Sequence, residues 1–208
     1  AGGRRFKSSR PDSFSRGVPM RSEDGIAPAG DAPENDVRDR LRKVVRDIPD
    51  FPKEGILFRD ITTLLLDPEA HNLAVKALAD PFRNDLPDQI MGIESRGFIF
   101  GSTLALELGV GFILARKPGK LPGPTLSVSY DLEYGSDSLE VHKDAIQPGS
   151  KVLVVDDLLA TGGTAKGACE LVELLGGHVA GAVFLIELTG LKGRELLGDR
   201  SVYSILRY

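Results

Sequence analysis

The chain of 208 residues has 26 lysines and arginines against 30 aspartates and glutamates, and 41% of its residues are hydrophobic. This composition is typical of one globular domain, and the formal net charge of -4 argues against a protein that coats nucleic acid or an anionic membrane. A single cysteine, three histidines far apart in sequence and no apolar run of about 18 to 20 residues argue against an internal disulfide, a His-x-x-x-His metal pair and a membrane span. We therefore expect a soluble, cytoplasmic protein in which any anion site is local.

Residues 1–35 contain many glycines, prolines and serines and few large apolar side chains. Such a segment buries too little apolar surface to offset the entropy of ordering, so we predict a disordered extension. Its first 22 residues carry one acid, Asp12, and six basic residues, namely Arg4, Arg5, Lys7, Arg10, Arg16 and Arg21. A basic, serine-rich start is also found in transit peptides, but this one lacks an amphipathic apolar face, which favours an inert extension.

Helices and strands are predicted to alternate over the remaining residues, 36–208. Apolar residues at helical spacing predict a first helix that ends before Pro49, namely Val37, Leu41, Val44, Val45 and Ile48. Asp67 followed by Pro68 is typical of the start of a second helix. Further helices are predicted at Gly97–Leu108 and 163–175, and strands at Gln89–Ile93, Gly111–Ala115, 151–155, 179–186 and 202–206. Nearly all-apolar strands between helices indicate a single α/β domain with a parallel sheet covered on both faces.

A polar excursion interrupts this alternation. Residues 125–134 and 138–142 look like two arms around a turn at 133–136, which contains Gly135. We predict a mobile hairpin or loop here.

The strongest motif runs from Val152 to Thr164: an apolar strand, two carboxylates, a loop of small residues and the start of a helix. Ligands of open α/β sheets bind beyond the carboxyl ends of the strands, so we expect Asp156 and Asp157 to point into a crevice. Backbone N–H groups of residues 161–164 would face the same crevice at the positive end of a helix, which predicts a phosphate site. The loop lacks the Gly-Lys-Ser/Thr of a Walker motif and the Gly-x-Gly-x-x-Gly of a dinucleotide site.

Two carboxylates beside a phosphate site need another partner, because each repels the anion. They are suited to ribose hydroxyls, or to a Mg²⁺ ion held near the phosphates. A helix-capping turn with exposed acids is the alternative for a short Thr-Gly-Gly-Thr segment, but the complete run from Val152 to Thr164 favours a binding site.

This run resembles the phosphoribosyl-pyrophosphate motif of type I phosphoribosyltransferases, in which two acids precede Ala-Thr-Gly-Gly-Thr. From about Val37 to the C-terminus the chain is similar to the adenine-specific branch of that family, through FPKEG (51–55), FRDI (58–61), ESRGF (94–98), RKPGKLPG (116–123), LEYG (132–135) and ELTGLKG (187–193). The resemblance implies a central, mostly parallel sheet flanked by helices, with a small hood and a flexible lid loop. It also implies a homodimer that uses Mg²⁺ and transfers the phosphoribosyl group from phosphoribosyl pyrophosphate to adenine, releasing AMP and pyrophosphate.

The resemblance also assigns the donor site. Asp156 and Asp157 would engage the ribose hydroxyls, directly or through water on Mg²⁺. The 5′-phosphate would be bound by Ala160, Thr161, Gly162, Gly163 and Thr164. The pyrophosphate would be bound by Ser95, Arg96, Arg116, Lys117 and Lys120, whose charge stabilises the leaving group. An exposed basic loop is the alternative for 116–120. In this family a cis peptide precedes the arginine, which places it between Ser95 and Arg96.

For the base, the resemblance places the main chain of Leu57 and Arg59 at the purine edge, where carbonyl groups accept from the 6-amino group of adenine. Phe58 would lie against the purine face, with Leu188 opposite. Taken singly, Phe58 and Leu188 would more often be plain core residues.

The catalytic candidates are Glu133, Tyr134 and Arg96. Glu133 would handle the proton that the base loses, and Tyr134 would help to close the lid. Without the resemblance, Glu133 would be an ordinary acid of a surface hairpin.

Two other functions are compatible with parts of this pattern. Another purine phosphoribosyltransferase, for instance one acting on xanthine, would share the donor motif and differ around 57–59 and Leu188. A regulator that senses phosphoribosyl pyrophosphate would bind nucleic acid through the basic extension. Such proteins normally add a folded DNA-binding module, for which residues 1–35 are too short and too poor in apolar residues.

Overall fold

The computed structural model describes residues 35–131 and 135–208. All of the predicted extension except Asn35 lies outside them, so its disorder stays a prediction. The helices within the described residues are α1 (Asn35–Val44), α2 (Thr62–Leu66), α3 (Pro68–Ala79), α4 (Gly97–Leu108), α5 (Gly163–Leu174) and α6 (Gly193–Leu196). The strands are β1 (Arg46–Ile48), β2 (Phe58–Asp60), β3 (Gln89–Ile93), β4 (Gly111–Ala115), β5 (Thr125–Asp131), β6 (Ser136–His142), β7 (Lys151–Leu159), β8 (His178–Glu187) and β9 (Val202–Arg207). Short 3₁₀ helices span Asp80–Phe82 and Thr189–Leu191.

A five-stranded sheet in the order β4-β3-β7-β8-β9 forms the centre of the molecule. All of its neighbouring strands are parallel, as the apolar strands between helices predict. Two antiparallel pairs stand apart from it, β1 with β2 and β5 with β6. The predicted α/β architecture with a parallel central sheet is therefore confirmed.

Successive side chains of the central strands point to opposite faces and bury two apolar layers. On one face Leu153 and Val155 pack with residues of α1, α3 and α4. On the other face Val152 and Val154 pack with residues of α5 and of the β5–β6 hairpin. Because both faces are covered, the site that binds polar ligands is left to the strand ends.

Several predicted elements are confirmed at their bounds, namely β3, α4 and β4. Helix α3 begins at Pro68 because the Asp67 carboxylate accepts hydrogen bonds from the backbone N–H groups of Glu69 (2.9 Å) and Ala70 (3.1 Å).

The prediction for the end of the first helix is wrong. Helix α1 ends at Val44, and Ile48 lies in β1, opposite Phe58 of β2. Strand pairing here overrides the helical spacing of the apolar residues. Strand β7 also runs on past Val155 to Leu159, because its partner β8 continues to Glu187.

The β1–β2 hairpin and the short helix α2 that follows it form the small hood of the molecule. Arg46 of β1 pairs with Asp60 of β2 at 2.5 Å, and Asp60 also accepts the hydroxyl hydrogen bond of Thr62 at 2.7 Å. The β5–β6 hairpin is joined to the residue after β4 by paired backbone hydrogen bonds between Arg116 and Glu140. None of the helices in residues 35–131 and 135–208 is long and apolar enough to cross a membrane.

Candidate active site

Four strand ends meet at one edge of the central sheet. Residues 94–97 follow β3, Arg116 follows β4, residues 160–163 follow β7 and Leu188 follows β8. Because these strands are parallel, their carboxyl ends all lie at this edge, where ligands of open α/β sheets bind. The fold thus brings most of the predicted site residues to the same place.

The loop after β7 leads directly into α5. Gly162 has a φ of +90°, which favours glycine, and Gly162 and Gly163 are buried while Thr161 and Thr164 are partly exposed. No side chain caps the start of α5. The first N–H groups of a helix have no partner within it, so this end offers donors to an anion.

The two carboxylates, Asp156 and Asp157, lie in the last part of β7. Asp157 contacts the neighbouring loop, which follows β3. The Asp157 carboxylate is buried, and the Arg96 guanidinium lies 2.9 Å from its Oδ2 atom. Asp156 accepts a hydrogen bond from the backbone N–H of Asp157 at 2.8 Å. Burial raises the pKa of both carboxyls. The charge of Asp157 raises that of Asp156 further, whereas Arg96 opposes the increase at Asp157.

The cis peptide of the β3–α4 loop joins Glu94 to Ser95. The expected position, between Ser95 and Arg96, is therefore wrong by one residue. Neither bond precedes a proline, so the sequence itself has no feature that separates the two positions. Ser95 and Arg96 are both exposed at the strand edge, as a loop that binds a ligand requires.

Glu94 holds Arg116 in a bidentate ion pair. Its Nε and Nη2 atoms lie 3.1 Å from Oε2 and Oε1 of Glu94, and the backbone N–H of Lys117 also donates to Glu94 at 3.0 Å. The hydrogen bonds from Arg116 lower the pKa of Glu94, although burial opposes this. Glu94 therefore fixes the arginine and the start of the basic loop.

The other two cations of the basic loop differ in their surroundings. The ammonium group of Lys117 pairs with Asp137 of β6 and donates to the Tyr130 hydroxyl at 2.9 Å. Burial lowers the pKa of Lys117, but the hydrogen bonds to Asp137 and Tyr130 outweigh it and raise the pKa above its ordinary value. Lys120 is exposed and forms no ion pair with the described residues.

The hood carries the residues predicted for the base. Leu57 is exposed, and the Phe58 ring packs edge-on against Phe51 with 5.1 Å between the ring centroids. The Arg96 guanidinium lies 5.8 Å from the Phe58 ring centroid. Arg96 thus lies between Asp157, which is predicted to bind the donor, and Phe58, which is predicted to bind the base.

Tyr208, which sequence reasoning missed, contacts Arg59 and the residue after Leu188. The Arg59 guanidinium pairs with Asp47 and stacks 3.9 Å from the centroid of the Tyr208 ring. The Tyr208 carbonyl accepts from the backbone N–H of Thr189 at 2.8 Å, next to Leu188. No pattern in the sequence marks Tyr208, because its role depends on contacts between distant segments.

Glu133 and Tyr134 lie outside the described residues, between the end of β5 and the start of β6. Their predicted roles therefore stay predictions.

The carboxylates at the end of β7 fit a Mg²⁺ ion that is held mainly by oxygens of a bound ligand. The described residues contain no group of three or more side chains suited to holding a metal ion. Asp156 and Asp157 are adjacent carboxylates at the strand end, and Mg²⁺ is commonly held by one or two carboxylates together with substrate phosphates and water. These two acids fit that pattern of binding.

Comparison with known proteins agrees with this geometry. A family model described as a phosphoribosyl transferase domain matches residues 64–204. An adenine phosphoribosyltransferase of Methylococcus capsulatus is 59% identical over 170 residues, which cover 82% of this chain and 99% of the relative. The solved adenine phosphoribosyltransferase of Thermoanaerobacter pseudethanolicus has a TM-score of 0.80 at 50% identity and covers 82% of this chain and 99% of its own. That of Saccharomyces cerevisiae, solved with D-2,5-dideoxy-2,5-imino-altritol 1,6-bisphosphate and adenine, has a TM-score of 0.78 at 43% identity, with 82% and 99% covered.

Proposed function

The chain belongs to the adenine phosphoribosyltransferase family, and from that premise we propose how its residues carry out the family's reaction. The reaction transfers the 5-phosphoribosyl group from phosphoribosyl pyrophosphate to adenine and gives AMP and pyrophosphate, a step of purine salvage. One observation carries the assignment of residues. Arg96 lies between the buried Asp157 at the end of β7 and the Phe58 ring of the hood, so donor and base sites adjoin.

The donor's phosphoribosyl part binds at the end of β7. The loop of Ala160, Thr161, Gly162, Gly163 and Thr164 takes the 5′-phosphate through backbone N–H groups at the start of α5. Asp156 and Asp157 accept hydrogen bonds from the ribose hydroxyls. The pairing of Asp157 with Arg96 at 2.9 Å supports this role, because Arg96 opposes the rise that burial causes in the pKa of Asp157 and fixes the carboxyl group beside the sugar.

The pyrophosphate binds across the ends of β3 and β4. Ser95 and Arg96 contribute from the loop after β3, and Arg116, Lys117 and Lys120 from the loop after β4. Positive charge placed here is worth more in the transition state than in the ground state, since negative charge grows on the pyrophosphate as it leaves. Glu94 orients Arg116 for this task through its two hydrogen bonds at 3.1 Å.

Adenine binds between Phe58 and Leu188, with its edge against the main chain of Leu57 and Arg59. Backbone carbonyls accept from its 6-amino group, whereas a 6-oxopurine would present an acceptor to the same carbonyls and leave them unpaired. Glu133 accepts the proton that the base loses as the bond to the ribose forms, and Tyr134 helps to exclude water.

We also propose Mg²⁺ as cofactor, held by the donor's oxygens and, directly or through water, by Asp156 and Asp157. When bound, the ion neutralises phosphate charge. A homodimeric state and a cytoplasmic location are further proposals, which the resemblance to this family supports.

An endpoint assay tests the assignment of donor and base together. The protein is incubated with phosphoribosyl pyrophosphate, Mg²⁺ and either adenine, hypoxanthine, guanine or xanthine, and nucleotide and pyrophosphate are quantified. We expect AMP from adenine and no product from the other bases. Product from xanthine or another 6-oxopurine would contradict the base site at 57–59, and no product from any base would favour the sensing function.

A further inference from the structure

The segment after β8 packs backbone to backbone against the loop at residues 160–164, called the phosphate loop below. A Cβ atom added to Gly193 would lie closer than 3.0 Å to the Ala160 carbonyl oxygen, and one added to Gly162 would lie closer than 3.0 Å to the Gly193 carbonyl oxygen. Real Cβ atoms essentially never approach other atoms so closely, so a side chain on Gly193 would displace the loop. Gly193 is itself buried.

The position of Gly193 is fixed by the next residue. The Arg194 guanidinium forms a bidentate pair with the Glu187 carboxylate, at 3.0 Å from Nε to Oε1 and 2.6 Å from Nη2 to Oε2. The third nitrogen of the guanidinium, Nη1, donates to the Val202 carbonyl at 2.5 Å. Such bidentate pairs define the orientation of both groups. Together with the hydrogen bond to Val202, this pair connects α6 to the end of β8 and the start of β9.

Glu187 is well placed to transmit this order to the phosphate loop. Only 4% of its surface is exposed, and it lies opposite Leu159, the residue of β7 from which the loop begins. Burial raises the pKa of Glu187, but the hydrogen bonds from Arg194 and Ser204 outweigh it and hold the pKa below its ordinary value. The carboxylate therefore stays charged and paired with Arg194.

The conformation of the phosphate loop depends on contacts with other segments, because its own side chains form few contacts that would fix its backbone. No side chain caps the start of α5, and Gly162 has the conformational freedom of a residue without a Cβ atom. Backbone N–H groups bind an anion well only when they already point at it, since ordering them on binding costs free energy.

We propose that Glu187, Gly193 and Arg194, the loop support, are positioning residues that hold the phosphate loop in its binding conformation. The inference rests on the proposed function, and it extends the donor site to residues that do not contact the donor. The loop support acts on the 5′-phosphate and not on the base, so its loss weakens binding of ligands that carry the phosphate and leaves binding of free adenine unchanged.

The first experiment compares Gly193→Ala with Gly190→Ala. Gly190 belongs to the same segment, but an added Cβ atom there meets nothing within 4 Å. Dissociation constants for AMP and for adenine are measured by calorimetry, and KM is measured for phosphoribosyl pyrophosphate and for adenine. Gly193→Ala is expected to weaken AMP binding and to raise KM for the donor tenfold or more, with both adenine values within twofold of wild type. For Gly190→Ala, both dissociation constants and both KM values are expected to stay within twofold of wild type.

The second experiment tests the ion pair with Arg194→Lys and Arg194→Gln. The matched control is Arg200→Gln, which breaks another bidentate ion pair, the one between Arg200 and Glu173 of α5. We expect KM for the donor to rise in the order wild type, Arg194→Lys, Arg194→Gln, while kcat falls less than threefold and Arg200→Gln leaves KM unchanged. If Arg194→Gln does not fold, Arg194→Lys and Gly193→Ala carry the test.

Two results would overturn the inference. One is a Gly193→Ala protein that binds AMP and the donor within twofold of wild type. The other is an equal loss for adenine and AMP, which would indicate general damage to the fold. Failure of the proposed function is distinct from both, because it would appear as a wild-type protein that makes no AMP from adenine.

Discussion

Replacing Asp60 by asparagine should loosen the hood and weaken adenine binding. Asp60 ends β2, the strand that carries Phe58 and Arg59, and it is nearly buried. Its carboxylate accepts from the backbone N–H of Thr62 at 2.9 Å, from the Thr62 hydroxyl at 2.7 Å and from Arg46 at 2.5 Å. These bonds, that of the Thr62 backbone first, lower the pKa of Asp60 to about 2.

The lowered pKa sets the size and sign of the effect. A decrease from 3.8 to about 2 corresponds to roughly 2.4 kcal/mol at neutral pH as an upper bound. Arg46 is 56% exposed, so screening by water reduces this, and we expect about 1 to 2 kcal/mol. Because the folded-state pKa is the lower one, this stability is present above about pH 4 and is lost as the pH falls through about 2.

The assay is urea unfolding of the wild type and Asp60→Asn at pH 7, 5 and 3. Asp39→Asn is the control, since Asp39 is an exposed residue of the neighbouring helix α1 and its replacement removes the same charge. The free energy of unfolding should differ by about 1 to 2 kcal/mol at pH 7 and 5, and by about half as much at pH 3. KM for adenine should rise several-fold, with KM for the donor unchanged. A difference below about 0.5 kcal/mol at pH 7, or one that does not shrink at pH 3, would refute the reasoning.

Three further predictions concern single side chains. Tyr208→Leu removes the ring on which Arg59 stacks and should raise KM for adenine three- to tenfold without changing KM for the donor; equal changes in both KM values would contradict this. Glu133→Gln should lower kcat by about 10² or more with little change in donor affinity, as expected for a proton-transfer group, and an unchanged kcat would remove Glu133 from the mechanism. Burial raises the pKa of the Cys169 thiol to about 12, so the folded protein at pH 8 should react with a thiol reagent only at the rate of unfolding; rapid labelling at full activity would contradict this burial.

The elements that could be predicted from the sequence are those whose signal is local. The bounds of β3 and α4 follow from an apolar run and from helical spacing, and the start of α3 follows from the Asp67 cap. The phosphate loop is likewise contained in one continuous run of residues. By contrast, β1 reads as a continuation of α1 until its partner β2 is known, because the pairing of Ile48 with Phe58 is not visible in either segment alone.

The parts of the site that escaped prediction depend on contacts across the chain. The pairing of Glu94 with Arg116 joins residues 22 positions apart, and the pairing of Arg59 with Tyr208 joins the hood to the last residue. Charge and residue type identify Arg116 as a candidate phosphate ligand, but they do not indicate that an acid already holds it. Sequence patterns therefore locate the ligands of the donor more readily than the residues that orient them.

The pairing of the cations explains how a chain of net charge -4 can offer a site for a highly charged anion. Arg96 is paired with Asp157, Arg116 with Glu94 and Lys117 with Asp137, so three of the four predicted pyrophosphate cations are neutralised locally within the described residues. These pairs hold the long side chains near the ends of β3 and β4, which reduces the entropy lost when a ligand binds. They also reduce the attraction of these three cations for a simple anion, because each of the three already has a partner. A donor that places phosphates at several of these cations at once gains from all of them together, so the arrangement favours phosphoribosyl pyrophosphate over a single phosphate.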